Sequence, residues 1–303
     1  MATARVTAAV CAVLDCGAAV KVAGAAWYVI AHAPHPWPSA WYYVAWVAVV
    51  VAALEVLAAA TYAAGDAWSP RRRIPHRGKH LDALEVKDVA CVVFNKCSTA
   101  VFSYHLARYL VAPANAAYVD WSVPRGAGDV ARAAAATVAL FVVYDFFYTL
   151  FHRALHHRSI YRYVHKHHHR QKAPSRGNVD AVNVHPFEFV PGEYNHLLAV
   201  AIVGRALLAV PVIALVPFII GGGALATLNH TRFDVHVGAV YDVKYHDIHH
   251  WYPDSNYGQY TVMWDRAFGW YKPYPRDDRG VWKPRAATAA NGAAANAHHR
   301  HAE

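Results

Sequence analysis

The sequence predicts an all-α integral membrane protein of about four to five transmembrane helices, with a cytoplasmic, histidine-rich helical cap that holds two metal ions. Three observations predict it. Apolar residues make up 56% of the 303 positions and charged residues only 16%. The Lys and Arg behind a net charge of +9 gather in loops between long apolar runs. Histidines recur at metal-ligand spacing beside the ends of those runs.

Crossing a bilayer as a helix takes roughly 20 apolar residues. Ala40 to Ala64 fits best, interrupted only by Glu55. Val89 to Ala112 is less pure, with Lys96, His105 and Arg108, and Ala131 to Phe151 has Arg132 at its start and Asp145 near its end. Leu197 to Leu228 contains Arg205, Pro211 and Pro217 and is long enough for a hairpin of two short helices. Val6 to Ile30 is a weaker span, broken by Asp15 and Lys21, and it lacks the pattern of a cleaved secretory signal.

The loops orient these spans. "SPRRRIPHRGK" after the first clear span is basic and belongs on the cytoplasmic side. Two crossings later the chain returns to that side, and His152 to Arg176 carries seven Lys or Arg and no carboxylate. Pro113 to Asp129 has only Arg125 against Asp120 and Asp129, as expected of the opposite side. The histidines therefore sit at cytoplasmic helix ends, outside the hydrocarbon. So low a charged fraction argues against a soluble nucleic-acid binder. Cys11, Cys16, Cys91 and Cys97 lie in apolar stretches without a CxxC pair and read as small buried side chains in a reducing setting. One domain is expected over 1–285, its cap formed mainly by 144–190 and 229–275. A low-complexity tail, 286–303, is expected to be disordered.

"YDFFYTLFHRALHH" closes the third span, and a helix there puts His152 and His156 on one face, about 6 Å apart. "HKHHH" sets His165, His168 and His169 at i, i+3 and i+4, with His167 pointing elsewhere. "HDIHH" repeats the pattern with His246, His249 and His250. One HxxxH is weak, whereas one HxxxH followed by two HxxHH on one membrane side is strong. Protonated imidazoles so close would repel one another, and a ligand that wants them neutral removes the conflict. These eight imidazoles are too many for one ion and enough for two. Donor type alone leaves iron, zinc, copper and nickel open. A nitrogen-rich pair beside a membrane, with no cysteine near, fits redox-active iron better than structural zinc. A metal transporter would place its ligands inside spans, and a zinc hydrolase would carry HExxH, which is absent although Asp247 lies in the last box.

These motifs resemble the fatty acid hydroxylase/sterol desaturase superfamily of membrane-bound non-haem di-iron oxygenases. The similarity runs roughly from Tyr144 to Pro275. "DFFYTLFHRALH", "YRYVHKHHH" and "HDIHH" resemble its three histidine boxes, and "NVHPFEF" its histidine-proline segment. "NYGQYTVMWDRAFGWYKPYP" is most similar to the sterol 5-desaturases, while "RQKAPSRGNVDAVNVHPFEF" departs from them. The resemblance implies that the eight box histidines bind two iron ions, with dioxygen as co-substrate. For the remaining ligands "LNHTRFDVHVG" offers His236 first and His230 second. Their six-residue separation differs from the HxxxH of fatty acid 2-hydroxylases. His185 reads first as a residue behind a ligand and second as a ligand itself, and Asp145 either as an interfacial charge or as a carboxylate orienting an imidazole.

The implied activity is dioxygen-dependent hydroxylation or desaturation of a lipid, a sterol first and an acyl lipid second, in the endoplasmic reticulum membrane. The chain has no Gly-rich dinucleotide loop, no cysteine set for an iron–sulfur cluster and no haem signature. Electrons are expected from a separate donor such as cytochrome b5 and its reductase. Arg153, Arg158, Arg162 and Lys166 either steer such an acidic partner or simply keep the loop cytoplasmic.

Overall fold

The computed structural model describes residues 40–69, 73–75 and 83–274. The weaker span from Val6 to Ile30, His76, His80 and the tail 286–303 lie outside them. The described residues are mostly helical, at 69%. Helix α1, Ala40–Trp68, is followed by α2, Val86–Val111, and α3, Ala127–Leu155. Then come α4, Pro186–Ala206, and a run of 3-10 and π turns over Val212–Gly221 that ends in α5, Gly222–Asn229. Two short helices finish the described chain, α6, Val243–Trp251, and α7, Met263–Ala267.

Among the described residues, three helical stretches are long and apolar enough to span a bilayer: Ala40–Trp68, Ala127–Leu155 and Val212–Asn229. The protein is thus an integral membrane protein by its helices. The second expected span forms one unbroken helix, but Asn95, Lys96, Ser103 and His105 dilute its apolarity. The expected hairpin over Leu197 to Leu228 turns at Leu207–Pro211, where Val210 and Pro211 (β2) pair in parallel with Val119 and Asp120 (β1). After the turn, Phe218 packs 5.2 Å from the His196 ring. Pro217 sits in the first turn of the π segment, where its missing N–H costs nothing.

The core joins α2, α3, α4 and the π segment through Phe102, Leu106, Leu140, Val200, Val203 and Phe218. Helix α1 is tied to α2 by Trp46, whose indole N–H donates to Ala100 O at 2.8 Å, and by the Lys96–Glu55 ion pair. At its far end a Cβ on Gly65 would lie 2.6 Å from the Phe233 ring, so only glycine lets the cap approach this closely. The cap is strapped to the α1–α2 connection: Ile74 N donates to Arg232 O at 2.8 Å, and Asp234 N to Ser69 Oγ at 3.2 Å. The described part of the first basic loop therefore lies at the histidine end, as the charge pattern requires. A hairpin of β3, His236–Val237, and β4, Tyr241–Asp242, leads into α6.

Candidate metal centre

The histidines form two adjoining nests. His152, His156, His165, His169 and His249 make the first, and His168, His230, His246 and His250 the second. Within each nest one nitrogen per ring lies within 4.8 Å of all the others. Rings of the two nests approach to 4.9 Å between centroids, at His169 and His250.

The nests draw on separate elements. His152 lies in the last turn of α3 and His156 is its C-cap. The second box is a 3-10 helix, His165–Arg170, not an α-helix, and all of its histidines are buried. The third box lies on α6, whose N-cap Asp242 accepts from Lys244 N at 2.9 Å. Neither HxxHH box serves a single site. In each, the i, i+4 pair enters one nest and the middle histidine enters the other, so His168 joins His246 and His250 while His249 joins His165 and His169.

Hydrogen bonds to backbone carbonyls settle the tautomers, because a carbonyl can only accept. Nδ1–H of His152 donates to Tyr257 O at 2.7 Å, and that of His249 to Ser255 O at 2.6 Å. In the second nest His230 donates to Ala226 O at 2.8 Å and His250 to Gln171 O at 2.9 Å. The Nε2 of each of these rings is therefore a bare lone pair facing inward. His230 and His250 both turn Nε2 towards Nε2 of His246, at 3.0 and 3.1 Å. His156 Nε2 and His249 Nε2 are buried with no hydrogen-bond partner. Converging, unpaired nitrogen lone pairs repel one another unless a cation lies between them, so this donor set fits two nitrogen-preferring metal ions.

The surroundings keep the rings neutral. Burial pushes His165 down to about 3. It also holds His168, His169, His246, His249 and His250 well below the ordinary 6.5, with neighbouring imidazoles adding to the effect. One acidic group stands behind the ligands: Glu188 Oε2 lies 2.7 Å from His165 Nδ1. Burial raises the Glu188 carboxyl to about 8. A narrow cleft beside His246, lined by Asn229, Tyr245, Gln259 and Tyr260 among others, has room for no more than about one water molecule.

The structure corrects several expected roles. His236 is exposed in β3 and joins neither nest, while His230, ranked second, supplies a nest ring. As C-cap of α5, His230 stays with the cap interior, and the following turn carries His236 out to the hairpin. His185 caps α4, its Nδ1 accepting from Phe187 N at 3.2 Å, and lies behind no ligand ring. Asp145 orients no imidazole. Fully buried, it accepts from Tyr260 N, Thr261 N and Thr261 Oγ1 at 3.1, 2.7 and 2.8 Å. Asp247 is committed to a buried ion pair with Arg232. His167 turns away as expected, to Asn183 Oδ1 at 2.8 Å.

Sequence reasoning missed Glu188 and the carbonyls of Gln171, Ser255 and Tyr257. The Pro186 helix start places Glu188 in the first turn of α4, but its aim at His165 depends on how α4 packs.

The model of the fatty acid hydroxylase family matches residues 137–270, a stretch that contains both nests. Neither a curated relative nor a solved structure matches the chain. Over residues 137–270, which carry both histidine nests, the chain is similar to the fatty acid hydroxylase family.

Proposed function

We propose that this protein is a membrane-bound non-haem di-iron oxidoreductase that uses dioxygen to hydroxylate or desaturate a lipid. The observation that carries the reading is the pair of nests, whose bare imidazole nitrogens converge at the end of membrane helices. The family supports a role in lipid hydroxylation or desaturation. A metal carrier would instead hold its ligands within the spans.

Iron, when bound, supplies the oxidising power towards an unactivated C–H bond that no side chain has. The chain holds and orients nine imidazoles, counting five and four in the two nests. Carbonyls and Glu188 fix the direction of the rings, and burial keeps them unprotonated. The apolar helices below bring a lipid to the cap without water. Electrons come from a separate donor such as cytochrome b5, steered by the basic face of Arg153, Arg158, Arg162 and Lys166, and the cap faces the cytoplasm of the endoplasmic reticulum membrane. A sterol is the first substrate class, on the strength of "NYGQYTVMWDR", and an acyl lipid the second.

The test is lipid profiling by mass spectrometry in host cells that lack sterol 5-desaturation and carry this chain, alongside metal analysis of the purified protein. Restored 5,7-diene sterols support the sterol reading. Unchanged sterols with new hydroxylated acyl chains overturn it in favour of the acyl class. Activity carried by zinc alone would sink the iron assignment.

A further inference from the structure

Two of the five rings in the first nest, on α3 and α6, are aimed by one short loop. His249 donates to Ser255 O and His152 to Tyr257 O, and Asn256 stands between those carbonyls. Asn256 has φ 55°, in the left-handed region, and is the sole non-glycine there among the described residues. Asparagine tolerates that conformation better than most side chains. The backbone at Asn256 helps set the angle between the two carbonyls, and through them the angle between two imidazoles.

The side chain of Asn256 holds this turn in place. Its Nδ2 donates to Tyr245 O at 3.1 Å and to Lys272 O at 3.0 Å, while Oδ1 accepts from Lys272 N at 2.8 Å. Its own N–H donates to Trp270 O at 3.1 Å. Tyr245 directly precedes His246, so the same amide also grips the helix of the third box. Asp265 takes the next two N–H groups, Tyr257 at 2.6 Å and Gly258 at 2.9 Å. Both side chains are fully buried, with Asn256 at 1% and Asp265 at 0% exposure. A Cβ on Gly258 would fall 2.0 Å from Thr261 O, so the turn closes only with glycine there.

No comparable loop backs the second nest. His230 donates to a carbonyl one turn back in its own helix, and His250 to Gln171 O beside the second box.

We propose that Asn256 is a positioning residue for the five-histidine nest, acting through the Ser255 and Tyr257 carbonyls on His249 and His152. The inference rests on the reading that the nests hold metal ions. The carbonyls it holds are the hydrogen-bond partners of two ligand rings, and such partners are worth about ten- to a hundredfold in metal affinity.

The experiment titrates cobalt(II) into the metal-free full-length chain in detergent, following visible absorption, which reports ligand geometry, and far-ultraviolet circular dichroism. Two variants are compared with the unsubstituted chain. Asn256→Asp keeps the shape but removes both donors, and Asn256→Gly keeps the left-handed backbone but removes the clamp. The expected result is two cobalt sites in the unsubstituted chain. In both variants one site weakens at least tenfold with an altered spectrum, while the other, whose His246 follows Tyr245, weakens less and the helical content holds. Two undisturbed sites in both variants overturn the proposal. So does loss of both sites together with helicity, which would make Asn256 a general strut. An unsubstituted chain that binds no cobalt overturns the metal reading itself, and that failure is seen before any variant is made.

Discussion

Glu188 Oε2 lies 2.7 Å from His165 Nδ1, and this contact ties the first turn of α4 to the second histidine box. Burial raises the carboxyl to about 8 and lowers the imidazole, so at neutral pH the pair is uncharged without a cation. A divalent cation on His165 Nε2 favours the carboxylate and expels its proton. Loading metal into the metal-free chain near neutral pH is therefore expected to release protons. Glu188→Gln is expected to release about one fewer and to bind metal about ten- to a hundredfold more weakly. An indicator-dye titration measures both, and identical release in the two proteins would remove Glu188 from this role.

The buried rings also set a pH dependence. Their folded pKa values lie below the ordinary 6.5, so below that pH the unfolded chain takes up protons that the folded chain refuses. The associated stability is complete above 6.5 and declines on acidification, by up to about 1.4 kcal/mol per pH unit for each ring. For His165 the decline continues to about 3. Thermal melts of the metal-free protein are expected to fall from about pH 7 to about pH 5. A melting temperature that rises over that interval contradicts the burial of neutral rings.

His230 and His236 separate cleanly. His230→Ala removes a buried nest ring and is expected to cost at least one of two bound ions, whereas His236→Ala changes an exposed hairpin side chain. Metal analysis of the two purified variants decides. Equal metal content in both would restore the expectation that His236 is the ligand.

Asp145→Ala leaves two backbone N–H groups and one hydroxyl without their acceptor in a buried loop. A loss of about 3 kcal/mol or more is expected, read as a lower melting temperature in detergent. Asp145→Asn, which keeps an acceptor oxygen, is expected to lose less. If Asp145→Ala melts with the parent, the three hydrogen bonds do not hold the loop.

Single cysteines give the topology. Asp120 follows α2 in β1, and Arg170 binds Asp88 at the opposite end of the same helix. A cysteine at Arg158 is expected to react with an impermeant reagent from the cytoplasmic side, and one at Ser122 only from the other side. Labelling of both from one side breaks the assignment.

Much of the molecule was legible along the chain. Apolar runs such as Ala40 to Ala64 mark membrane helices because backbone groups in lipid must pair within the helix. The basic loops put Arg73 and His152–Arg176 on one side because charge bias orients spans. The HxxxH and HxxHH spacings located eight of the nine nest rings, since residues four apart in a helix are neighbours.

Tertiary packing decided the rest. The division of each box between two nests depends on the 3-10 form of His165–Arg170 and on its approach to α6, which local spacing does not encode. His230 displaced His236 because α5 ends inside the cap and the chain then turns outward. Of the two readings of Asp145 the imidazole partner fails, because the N–H groups of Tyr260 and Thr261, more than a hundred residues away along the chain, take its oxygens. The carbonyls that orient the ligands leave no trace in the sequence, because every residue carries one. Residue type and spacing determined which side chains could bind a cation, for eight of the nine rings. Only the packing of helices distant in sequence decided which lone pairs meet, since a hydrogen-bond acceptor is chosen by place and not by name.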